Sequence, residues 1–229
     1  MSQRKSKRNA SPDGAASSQP PVSAARPEGQ HARVPVLVLG VGGQGGALAM
    51  GLEPPGPADA VQSRWIDGVL TLYGGTPDGE DLMVNDPPAD EYAWSDPVTA
   101  RLLANRESLL GLFEGRRAVV IVVALSAEGD VILATFLAAM ARRSGAVVAA
   151  VAVEPLPLDA LWSGPVSAGL RLGLLHINAH ATHIVSGGAI AASLGTGTPA
   201  DQANDWLMRS ARHAVRTAVD FVRRAPTFA

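Results

Sequence analysis

Five glycines fall within seven residues in "GVGGQGG", positions 40–46, between the apolar run "VPVLVLG" and the helix-prone "ALAMGL". Backbone N–H groups unshielded by any Cβ, at the start of a helix, can surround phosphate oxygens. Gly40, Gly42 and Gly45 satisfy G-x-G-x-x-G, the dinucleotide fingerprint. That fingerprint also requires an acid at the end of the second strand to hold the ribose. The strand expected at 68–75 ends "LYGG", and Asp78 and Glu80 arrive several residues late. A Walker A loop is excluded because no lysine follows the glycines; Lys5 and Lys7 are the only lysines in the chain. Tight packing of a helix on a strand needs one or two glycines, and five are costly in unfolded-state entropy, so the run is expected to hold a ligand.

Other chemistry is sparse. The chain has no cysteine, which removes disulfides, thiolate catalysis and cysteine-bound zinc. His176, His180 and His183 have H-x₃-H-x₂-H spacing but no acid beside them, so incidental surface histidines are expected rather than a metal site. No Ser-His-Asp arrangement stands out, and no catalytic residue is assigned. Asp86, Asp90, Glu91 and Asp96, with Tyr92 and Trp94 between them, form an acidic stretch suited to solvent or to a protein contact.

The elements that would position these groups follow from patterning. Residues 1–33 are rich in Ser, Pro, Ala, Gly and charge and lack large apolar side chains, so they read as a disordered basic tail. Residues 34–229 form one domain of ordinary size. Its strands are apolar throughout: 34–40, 68–75, 118–125, 146–155 and a short one at "THIVSGG". Between them lie helices at 96–115, at 129–145 and at "GLRLGLLHINAHA", and a long helix closes the domain. Thr198 is expected to cap that last helix, with Pro199 as its first residue and Asp201 in its first turn. Leu207, Ala211, Ala214, Ala218 and Phe221 or Val222 are its expected buried stripe. Strands alternating with helices imply an α/β fold, a Rossmann-like open parallel sheet with helices on both faces, which binds ligands at the strands' carboxyl ends. The net charge of −2 favours neither nucleic acid nor a membrane surface, and no apolar run is long enough to span a bilayer. A cytoplasmic protein is expected.

Read together, "GVGGQGGALA", the stretch "DPVTARLLANRESLLGLFEGRRAVVIVVALSAEGDVILATFLAAMARRSGAVVAAVAVEPLP" and "DQANDWLMRSARHAVRTAVDFV" resemble the tubulin/FtsZ family. The first is similar to that family's first nucleotide loop. The second resembles the middle of its GTPase domain, and the third its long central helix, which begins beside the guanine base. The resemblance covers most of residues 34–225 in order and spacing.

The resemblance implies GTP or GDP as ligand, with Mg²⁺ beside the phosphates. Gly40, Val41, Gly42, Gly43, Gln44, Gly45, Gly46 and Ala47 would wrap the phosphates, Ser126 and Gly129 would face them, and Asp159, Asn204 and Asp205 would lie toward the ribose and base. The departures are as informative. The signature G-G-G-T-G-T/S-G after the third strand is replaced by "LSAEGDVIL", which puts Glu128 and Asp130 near the phosphate position. Unit charges 4 Å apart repel by about 4 kcal/mol at an effective dielectric near 20, so a triphosphate is opposed unless a metal intervenes. The glycine-rich loop after the second strand is absent, and the sequence stops at "RRAPTFA" without the family's catalytic-acid loop and second domain. Regular hydrolysing filaments are therefore not expected from this chain alone. Two functions are consistent with this pattern: a guanine-nucleotide-binding domain of cytoskeletal or cell-division type with weak or no hydrolysis, or a pseudo-GTPase that docks on a partner, either a true FtsZ or itself. A dinucleotide-binding Rossmann domain is the third.

Overall fold

The computed structural model describes residues 36–52, 61–67, 72–73, 97–157 and 165–225. The tail, the acidic stretch and Asp159 lie outside the described residues. In chain order the elements are β1 (Val36–Val41), α1 (Gly42–Met50), β2 (Val61–Ile66), β3 (Leu72–Tyr73), α2 (Pro97–Ala104), α3 (Arg106–Gly111), β4 (Ala118–Ala124), α4 (Glu128–Arg143), β5 (Val147–Val153), α5 (Pro165–Asn178), β6 (Ala181–Val185), α6 (Gly187–Leu194) and α7 (Ala200–Arg224).

The strands form one sheet in the order β3-β2-β1-β4-β5-β6. Five of them are parallel, and β3 pairs antiparallel with β2 at the edge, Trp65 opposite Tyr73. β1, β4 and β5 are buried along their whole length, as their unbroken Val/Leu/Ala sequences require of strands covered on both faces. Alternate residues divide between two cores. Leu37, Leu39 and Val41 point to the side covered by α2 to α5, and Val36 and Val38 to the side covered by α1 and α7. The chain leaves β1 in one direction to β2 and returns to its other side as β4. The topological switch point therefore lies between the carboxyl ends of β1 and β4.

Several elements differ from the sequence expectation. The second strand is "VQSRWI", whose mixed polarity reflects half-burial at all but Ile66; only Leu72 and Tyr73 of the expected 68–75 strand are described as strand. The helix expected over 96–115 breaks at Asn105, whose buried side chain donates from Nδ2 to the Arg101 carbonyl at 2.9 Å and so ends α2 locally. Helix α6 was not anticipated; Ser186 caps it, its Oγ accepting from Ala189 N. At α7 the cap position is Pro199, and the Thr198 hydroxyl instead donates back to the Leu194 carbonyl at 2.8 Å. The α7 stripe is Ala203, Leu207, Ala211, Val215, Ala218, Val219 and Val222. Val215 takes the place expected of Ala214, and Phe221 stays exposed.

Candidate functional site

The switch point is built from the ends of β1 and β4 and the starts of α1 and α4, with the end of β2 on the far side of β1. No loop intervenes after β1: Val41 is extended, and α1 begins at Gly42 with no side-chain cap and no acid in its first turn. Helix α4 likewise begins after an extended Ala127 without a side-chain cap. Each start leaves N–H groups without intrahelical partners and the positive end of a helix dipole, the ordinary basis of an anion site.

The glycines have separate structural reasons. A Cβ on Gly40 would enter the backbone of Gly45 and stand 2.7 Å from the Gly46 Cα, so β1 and α1 could not approach as they do. On Gly45 it would strike the Val122 carbonyl of β4. On Gly46 it would sit 2.7 Å from Nε1 of the Trp65 indole on β2. Gly42 has φ +69, a left-handed conformation that favours glycine, and a Cβ there would overlap the Asp130 carboxylate. Gly43 alone faces open space. Four of the five glycines thus answer to packing or backbone conformation, against the expectation that packing needs one or two. Gly43, Gln44 and Ala47 form the exposed side of the run, while Val41, Gly42, Gly45 and Gly46 are buried.

Asp130 occupies the ground over Gly42. It projects from the first turn of α4, half-buried. Burial, and then the neighbouring Asp67 carboxylate, hold its pKa above the ordinary carboxylate value. Glu128, two residues earlier, is exposed. Ser126 and Gly129 are half-buried beside it, in the β4–α4 turn and the first turn of α4.

Asp67 was missed because β2 was missed. It follows Ile66, the partner of Val41 in the sheet, and so stands at the end of the second strand. This is the acid that the G-x-G-x-x-G reading lacked, and it is 22 residues beyond Gly45. The readable signal was "RWID", a β-prone pair followed by an acid.

The remaining predicted positions lie farther along the strands' carboxyl edge. Asn204 and Asp205 are exposed in the first turns of α7. A cleft of ≈ 340 Å³ at the start of α7 is lined by Pro157, Leu194, Thr196, Thr198 and Ala203 among others, and neither Asn204 nor Asp205 lines it. The three histidines do not converge. His176 is exposed on α5, its Nδ1 3.4 Å from the Thr182 hydroxyl. His180 accepts at Nδ1 from Val148 N, which extends the β5–β6 pairing by one rung. Its pKa is lowered by burial and by Arg142. Among the described residues no group of three His, Asp or Glu could hold a metal ion, and no helix is long and apolar enough to cross a membrane.

No protein-family model matches the chain, and no curated protein matches it in sequence. Solved structures do. A FtsZ dimer from M. jannaschii, described as empty, is similar over 87% of this chain and 58% of its own, with a TM-score of 0.59 and 15% identity. A tryptophan-to-tyrosine mutant of M. jannaschii FtsZ is similar over 87% of this chain and 60% of its own, with a TM-score of 0.61 and 15% identity. The fold is therefore FtsZ-like, and the chain spans about three fifths of the length of those structures.

Proposed function

We propose that this FtsZ-like domain acts as a pseudo-GTPase, a protein-docking module that neither holds nor hydrolyses a nucleoside triphosphate at its switch point. The observation that carries the reading is the approach of the Asp130 carboxylate to Gly42. Two uncapped helix starts converge where such sheets bind phosphate, and the chain places its own anionic group there. A triphosphate would have to displace Asp130 and lie beside Asp67, and it would meet repulsion from both. Without a cation to offset Asp130 and Asp67, the residues present do not fit the phosphates of GTP or GDP. The partner this reading favours is a filament-forming relative of the same fold or a second copy of the chain.

One observation favours a second reading, dinucleotide binding. Gly40, Gly42 and Gly45 precede α1, Gly45 packs α1 on β4, and Asp67 ends β2 where a ribose-holding acid belongs. It meets the same obstacle, since a pyrophosphate would sit over Gly42.

Thermal unfolding of the full chain with GTP, GDP or NAD⁺ at millimolar concentration, each with and without Mg²⁺, decides between them. No change in melting temperature is expected with any of them. A ligand present at a hundredfold excess over its Kd stabilises by about 2.7 kcal/mol. A shift of that size with guanine nucleotides would overturn the pseudo-GTPase reading, and one with NAD⁺ alone would establish the second.

A further inference from the structure

The outer face of α4 and α5 is apolar where solvent-facing helices are ordinarily polar. On α5, Leu170, Leu174 and Ile177 are 71%, 48% and 67% exposed, and they repeat at i, i+4, i+7. Between this ridge and α4 runs a groove of ≈ 500 Å³, lined on its α4 side by the half-buried Ile132, Thr135, Phe136 and Ala139. Contiguous apolar surface of this kind on a folded domain marks a contact site.

The charged residues of α4 to either side of this apolar stretch identify the occupant. Glu128 lines one end. At the other, past Ala139, the surface continues to Arg106 and Arg143, both exposed. Along α4 the stripe therefore reads Glu128, Ile132, Thr135, Phe136, Ala139, Arg143: acidic, apolar, basic. It is self-complementary about its midpoint between Thr135 and Phe136. If a second α4 is laid antiparallel across a two-fold axis at that level, Glu128 meets Arg143 of the second copy. Ile132 then meets Ala139 of the second copy, and Thr135 meets Phe136 of the second copy. Both charge pairs form at once, about 22 Å apart at 1.5 Å per residue. A two-fold contact requires a surface that is complementary to itself. A parallel arrangement would set Glu128 against Glu128 and Arg143 against Arg143.

We infer that the α4–α5 face is a symmetric self-association surface, on which two copies of this chain pack α4 antiparallel across a two-fold axis, with the Leu170–Leu174–Ile177 ridges flanking the contact. The pairing requires no nucleotide, and Glu128 and Arg143 fix its direction.

Sedimentation equilibrium of the full-length chain tests this. The wild type is expected to dimerise in the micromolar range. Glu128→Arg and Arg143→Glu, each of which sets like charges opposite one another twice, should weaken dimerisation at least about tenfold. Mixing the two single variants restores both attractive pairs, so a heterodimer of near wild-type strength should form from two chains that are separately monomeric. The double variant should likewise dimerise with itself. Leu170→Lys, on the exposed ridge, should weaken the dimer in every background. Circular dichroism confirms that each variant is folded, and recovery on mixing excludes misfolding as the cause of lost association. A wild type that remains monomeric at several hundred micromolar would overturn the inference. So would a dimer indifferent to the charge reversals, or variants that stay monomeric when mixed.

Discussion

At the scale of single residues, the switch point is decided by one carboxylate and four glycines. Asp130 has a raised pKa, so the folded chain holds that proton more tightly than the unfolded chain does. Its contribution to stability is therefore favourable at low pH. It declines as pH rises from the ordinary aspartate value through the raised folded one. Asp130→Asn should remove this decline. Thermal melts between pH 4 and 7 should show the variant gaining on the wild type as pH rises, with the largest advantage at neutrality. A constant difference across that range would mean that Asp130 does not titrate there. The glycines yield a contrasting pair. Gly43→Ala, in open space on α1, should stabilise by about 0.5–1 kcal/mol through helix propensity and reduced unfolded-state entropy. Gly46→Ala, against Trp65, should cost about 1–3 kcal/mol by overpacking. Equal effects in urea unfolding would remove the distinction between packing and exposed glycines. In sequence all five look alike, because the neighbours that separate them, Val122, Trp65 and Asp130, come from three other elements.

At the scale of elements, caps and strand ends carry the differences from the sequence reading. Ser186 and Thr198 look equally suited to cap a helix, yet Ser186 caps α6, while Thr198 bonds back to Leu194 and leaves the α7 start to Pro199. Ser186→Ala should cost about 1 kcal/mol, as the loss of a side-chain cap does. Thr198→Val should cost less, since its hydroxyl bonds back to one carbonyl at the α6 end and caps no helix N–H. Chemical denaturation of the two variants checks the order, and a larger loss at Thr198 would restore it as the cap. Strands β1, β4 and β5 were legible because burial on both faces demands an unbroken apolar sequence. Strand β2 was not, because half-burial at the sheet's flank allows Gln62, Ser63 and Arg64. Missing β2 hid Asp67 and left the dinucleotide fingerprint seemingly without its acid.

At the scale of the whole molecule, the sheet is held between two cores, and α4 seals one of them. Leu137 is fully buried at the centre of that core, and Leu137→Ala should cost about 2–5 kcal/mol in urea unfolding. A loss below 1 kcal/mol would mean that α4 can shift to close the cavity, and the α4 surface would then be poorly fixed as a contact face. Composition and apolar periodicity alone determined the α/β class, the order of the main strands and helices, and a glycine-rich turn at the first strand's end. These are local or single-element properties, because burial on both faces and helical spacing are written directly into consecutive residues. The tertiary structure decided what lies over that turn. It alone placed Asp130 on Gly42, Asp67 at the end of β2, and the acidic-to-basic stripe of α4 on the surface. Those arrangements depend on which elements become neighbours across the switch point, and no run of adjacent residues encodes that by itself.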